Sequence, residues 1–180
     1  IKGVLGRLYA KADRINLSKE KVTFNTIDLS DTAITLLLND TTTKADTTST
    51  AVNWILNLQK INLDRVAFAM QMPGDSLRLS TYIDKAGLTD GIVDLGSARY
   101  SASQFLLSGS SLSYDGSYSD PAPGFDPAHI ALNDVNIRID SLLYGGRDIS
   151  ARIKKFSAND RSGLTLSSLT GDISSDSTTI

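Results

Sequence analysis

The chain has 180 residues, 20 acidic and 18 basic, with a net charge of −2, no Cys and one His. Near-neutral charge removes the clustered Lys/Arg excess that phosphate-backbone binding needs. The missing Cys removes disulfides, thiol nucleophiles and Cys-ligated zinc, and a lone His leaves no His-rich metal site.

The acidic side chains are 19 Asp and a single Glu, Glu20, and they come with 23 Ser, 16 Thr and 9 Asn. These short polar side chains compete with the backbone for hydrogen bonds and favour turns over helix interiors. Asp-rich turns between Leu/Ile segments predict one all-β domain over 1–180, predominantly antiparallel, with little or no helix.

In chain order, residues 1–20 are the only stretch that can be read as an amphipathic helix. The first residue is Ile, so the chain reads as a processed product or an internal fragment. Val22 and Phe24 open the first alternating segment. Ala33–Leu38 is the longest strongly apolar run, far short of the roughly 20 residues of a spanning helix. Residues 39–50 are Thr-rich and polar and read as a loop.

From Trp54 onward, apolar residues recur at every second position, first at 54, 56 and 58, then at 61 and 63, then at 66, 68, 70 and 72. Alternation is the mark of a strand with one buried face. Each change of parity needs a bulge, near Gln59-Lys60 and near Asp64-Arg65, to keep the apolar set on one face. Long, curved and bulged strands are therefore expected. Turn signals follow at Pro73-Gly74-Asp75, Thr89-Asp90-Gly91, Tyr144-Gly145-Gly146 and Asn159–Gly163. Residues 115–127 hold three of the four Pro and read as a second loop.

The segments 22–29, 56–63 and 130–137 share the pattern apolar-x-apolar-x-x-apolar-(Asn/Asp)-apolar. They suggest repeats over 20–38, 53–114 and 128–180, units that close no core alone and stack on neighbours.

Catalytic chemistry finds little support. Scattered Asp pairs are better explained by turns than by a glycosidase dyad. Asp115, Asp120 and Asp126 lack EF-hand spacing. His129 has no nucleophile in reach of the sequence pattern, and no G-x-S-x-G occurs. A non-enzyme without metal or cofactor is expected.

Three pieces carry a family resemblance: FDPAHIAL at 125–132, DVNIRIDSLLY at 134–144 and RSGLTL at 161–166. Together with Trp54–Leu63 they resemble the TamB/AsmA-like envelope proteins of Bacteroidetes; the likeness is weaker before residue 50. The resemblance implies a long curved sheet forming an open, taco-like groove with an apolar concave face. It further implies a periplasmic protein, anchored in the inner membrane by a segment outside this chain. Such a protein shields phospholipid acyl chains on their way between membranes, or assists outer-membrane protein assembly with a TamA-type barrel.

Physical reasoning meets this resemblance halfway. A sheet with one apolar face must cover that face. Without helices it either folds on itself or holds something apolar. The alternative is therefore a closed β-sandwich serving as a carbohydrate or adhesin module, for which Tyr114, Tyr118 and Phe125 supply aromatic rings.

The expected inward residues are Leu56, Leu58, Ile61, Leu63, Phe68, Met70, Leu77, Leu79, Leu132, Val135, Ile137, Ile139, Ile149 and Ile153; Asn62 and Asn136 are expected to point outward. If the chain is a slice of a longer sheet, its edge strands are expected to self-associate. Asp-Ser/Thr triplets mark Thr32, Thr47, Ser76, Ser141 and Ser177 as possible O-glycosylation positions of the Bacteroidetes type.

Overall fold

The structure is a computed structural model and describes residues 1–38, 52–146 and 148–175. Within them the chain forms one nine-stranded sheet. The strands are β1 (Lys2–Val4), β2 (Arg7–Asn16), β3 (Lys21–Leu37), β4 (Ile55–Met72), β5 (Leu77–Asp94), β6 (Arg99–Asp115), β7 (His129–Gly145), β8 (Asp148–Asp160) and β9 (Thr165–Ser175). The order is β1-β3-β4-β5-β6-β7-β8-β9, and β2 shares the free side of β3 with β1. All pairs are antiparallel except β3/β4, which is parallel with Val22 beside Leu56 and Leu36 beside Met70. Strands make their substantial contacts only with their ladder neighbours, so among the described residues no second layer covers the sheet.

Residues 1–20 correct the helical option. They form two edge strands and a single 3-10 turn at Leu17–Lys19, which ends in the left-handed residue Glu20. Among the described residues the only other helical turn is Pro73–Asp75, where Pro begins the β4–β5 connection. Thr89-Asp90-Gly91 is likewise not a turn but lies inside β5, with Asp90 at φ 49°. The polar loop at 39–50 lies outside the described residues. The second loop is found over residues 116–128, between β6 and β7.

The left-handed residues explain the curvature. Asp31 in β3, Arg65 in β4, Gly109 in β6 and Asp134 in β7 all have positive φ, and the ladder places them side by side across the sheet. Asp90 in β5 and Ser141 in β7 mark a second line, level with Gln59 and Ser103. A bulge inserts a residue, bends the strand and resets side-chain parity. Because β3, β4 and β5 bend together, their registers run through both lines without a shift. Each long strand therefore crosses a wall, a floor and a second wall, and the sheet is an open groove.

Burial follows these corners. Thr32, Val66, Ser110, Val135 and Ala158 flank one line of bends, and Leu58, Ala102 and Ala151 flank the other; all are buried in a single-layer sheet. Inside a corner there is little room: a Cβ on Gly91 would lie 2.5 Å from Cδ2 of Leu88. Polar groups freed by the bends are also met there. The Ser110 hydroxyl donates to the Ser108 carbonyl (3.0 Å) and accepts the Asp84 N–H (3.2 Å). The Thr32 hydroxyl donates to the Ser30 carbonyl (3.0 Å) and accepts the Gly6 N–H (3.2 Å). The same device thus serves two strands, since buried backbone groups need partners.

Candidate functional site

The floor between the two lines of bends is built from directly paired residues. One row runs Ala10, Ile27, Ile61, Leu88, Phe105, Ile139, Ile153, Gly171; the next runs Leu8, Leu29, Leu63, Ala86, Leu107, Ile137, Phe156, Leu169. Paired residues share a face, so both rows present an unbroken apolar surface from β2 to β9. Ile61, Leu63, Ala86, Leu88 and Phe105 line a hollow of about 150 Å³ in its middle.

The walls continue the same face. On one side Leu56, Val93, Tyr100, Tyr144 and Ile149 pair in sequence, with the Tyr100 and Tyr144 rings 5.9 Å apart. On the other, Phe68, Thr81, Leu112 and Leu132 form one row and Met70, Leu79, Tyr114 and Ile130 the next. Many inward apolar residues near the lips and ends remain exposed, among them Tyr144, Ile149, Leu169 and Ile173.

The outer face is polar and internally bonded. Asn57 donates to Thr23, Asn62 to Asp28, and Gln104 to Asp140, while Ser108 and the Gly109 N–H donate to Asn136. At the outer corner, Arg65 holds Asp31 through two donors, at 2.7 and 3.1 Å, and lowers its pKa.

All fourteen residues expected to point inward lie on one face by register. Ile61, Leu63, Ile137, Ile139 and Ile153 are on the floor; Leu56, Leu58 and Ile149 are on the first wall; Phe68, Met70, Leu77, Leu79, Leu132 and Val135 are on the second. Sequence reasoning missed most of the inward set of β3, β5 and β6, including Ile27, Leu88, Phe105 and Leu107. The constant 34-residue parallel register of β3 on β4 is the signal that could have found the β3 members. For β5 and β6 the signal is the parity change on either side of Asp90 and Gly109.

The positions considered for glycosylation differ in setting. Thr32 is buried with its hydroxyl engaged, Ser76 follows the β4–β5 turn, and Ser141 is exposed on a bend. Thr47 and Ser177 lie outside the described residues.

His129 is buried and its Nδ1 lies 2.8 Å from Asp126. The Asp126 carboxylate also accepts the N–H groups of Ala122 and Ala128, both at 2.9 Å. These donors hold its pKa down at about 2, the Ala122 N–H contributing most, then His129. The pair is a fastening for the 116–128 loop. Among the described residues, no three His, Asp or Glu side chains are grouped to hold a metal ion, and no helix is long and apolar enough to cross a membrane. The chain matches no family model, no curated protein and no solved structure.

Proposed function

We propose that the chain is a non-catalytic segment of a groove-shaped envelope protein that shields acyl chains during phospholipid transfer between membranes, as its resemblance to TamB/AsmA-like proteins implies. One observation carries this reading: two uninterrupted apolar rows cross every strand from β2 to β9 on a face that, among the described residues, no other layer covers. Seven strand-to-strand steps of about 4.8 Å give a floor roughly 34 Å long. One leaflet of a bilayer is about 15 Å of hydrocarbon, half the usual core, so a single acyl chain spans three or four strands. Each methylene removed from water contributes about 0.8 kcal/mol, so binding follows chain length and needs no specific contact. The periplasm, an inner-membrane anchor elsewhere in the protein and a TamA-type partner belong to the same proposal.

The carbohydrate-module alternative is less well supported. It requires a closed sandwich, whereas the described residues form a single open layer. Its rings also fail to form one platform. Tyr114 shares the inner face with Leu79 and Ile130, while Tyr118 stacks against Arg78, which alternates to the outer face.

The test is lipid recovery. Leu63→Asp and Ile137→Asp are expected to remove co-purifying phospholipid, measured by mass spectrometry of extracts, while Asn62→Asp and Asn136→Asp retain it. Equal lipid content in both pairs, with all four variants folded by circular dichroism, overturns the proposal.

A further inference from the structure

At the second lip the groove wall contains a hollow of about 260 Å³, lined by Ile130, Leu132, Phe156, Ala158, Leu164 and Leu166, with Phe125 on its loop side. It is roomier than the roughly 150 Å³ apolar cavity that suffices for benzene. Asp160 borders it, but its carboxylate accepts the N–H groups of Ala131 and Ser162.

Phe125 is 58% exposed, yet the backbone that carries it is tied down. The next residue, Asp126, is tied to Ala122, Ala128 and His129. The loop ends are closed by the Gly116 N–H on the Ala128 carbonyl. Tyr118 donates to the Pro73 carbonyl across the lip, and Pro121, Pro123 and Pro127 restrict the backbone. A large apolar ring on a fastened loop thus borders an apolar hollow that it does not fill.

We propose that this hollow is a binding site for the end of one aliphatic chain, with Phe125 as its cover. The inference rests on reading the inner face as an acyl-chain surface and adds a defined stop on it. Two features select the occupant. Around the hollow the backbones of β7, β8 and β9 pair with one another, as at Leu132/Asp160 and Ala158/Leu166. An inserted peptide would bury its own amides without partners; an aliphatic chain has none. Phe156 belongs both to the hollow and to the floor row, so a chain lying on the floor can turn into the hollow without crossing water.

The test uses dodecanoate and 11-bromoundecanoate with the whole 180-residue chain. In a Trp54→Phe background, Phe125→Trp places an indole at the cover. Saturable quenching by the brominated acid is expected. Phe125→Ala is expected to weaken dodecanoate binding about fivefold in calorimetry, with an unchanged circular dichroism spectrum. Binding without quenching at position 125, and with Phe125→Ala matching the parent, overturns the hollow as a site and leaves the groove reading intact. No calorimetric binding of either acid by the parent chain overturns both.

Discussion

Ser110→Ala is a direct test of how the groove is bent. The hydroxyl is the most buried polar group at the corner, 1% exposed, and it satisfies two backbone groups at once. Its loss leaves the Asp84 N–H without its 3.2 Å acceptor and the Ser108 carbonyl without its 3.0 Å donor. A buried backbone group left unpaired costs about 1–3 kcal/mol. Alanine adds no bulk and no water site is opened, so the midpoint of that range, ~2 kcal/mol, is expected. For a chain of this size each kcal/mol lowers Tm by roughly 2–4 °C, giving a fall of about 4–8 °C. Urea unfolding followed by far-UV circular dichroism, with calorimetry for Tm, measures it. Ser113→Ala is the control: it sits on the outer face beside Ser80, three residues along the same strand, and is expected to change stability by less than about 0.5 kcal/mol. Equal effects from the two substitutions refute the idea that corner hydroxyls hold the bends.

Three further outcomes follow from the same geometry. Arg65→Val forces a β-branched residue to φ 53° and is expected to cost about 1–2 kcal/mol more than Arg65→Gly, which loses the same exposed ion pairs with Asp31 and Asp64 but suits that φ; urea midpoints decide. Asp126 has a folded pKa of about 2 against an ordinary value of 3.8. Because the folded value is the lower one, its contribution is complete above about pH 4 and fades as pH falls toward 2. Asp126→Asn is therefore expected to flatten that part of the acid limb in a Tm-against-pH series; an unchanged limb contradicts the fastening role. Gly91→Val sets a Cβ 2.5 Å from Cδ2 of Leu88, which must rotate away into the inner face, and is expected to cost about 1–3 kcal/mol by overpacking, again read from urea unfolding.

The strands that were legible in the sequence were those whose apolar period survived the bends. In β4 the parity changes after Leu58 and after Leu63 mark the two bends, because large apolar residues flank each one, but the neighbouring strands bend in step and neither β4 ladder has the register shift of a bulge. In β5 the same physics was hidden. Asp90-Gly91 has the composition of a hairpin turn, yet Asp90 only bends the strand, and Gly91 lies within it against the end of the Leu88 side chain. In β6 the Ser- and Gly-rich stretch around Gly109 reads as loop, since Ser110 owes its place to corner hydrogen bonds rather than to hydrophobicity. Residues 1–20 looked ambiguous because edge strands β1 and β2 are exposed almost throughout and show little alternation.

The inward register was legible for a different reason. Leu56 to Leu63 and Ile130 to Ile137 carry the same apolar spacing because each segment crosses the first bend of its strand. Alternation says which residues share a face, but not whether that face meets another sheet. The open layer comes from the shared bends, which only the ladder between neighbouring strands reveals. Loop 116–128 was legible as a loop from its prolines, whereas the hold of Asp126 on His129 depends on side-chain placement that no spacing encodes.

The central claim is that the uncovered apolar floor meets lipid, and photo-crosslinking in cells tests it most directly. A photoreactive residue at Leu63, on the floor, is expected to capture phospholipid, and one at Asn62, on the outer face beside Asp28, is expected to capture none. Lipid captured equally at both positions, or at neither, contradicts the account.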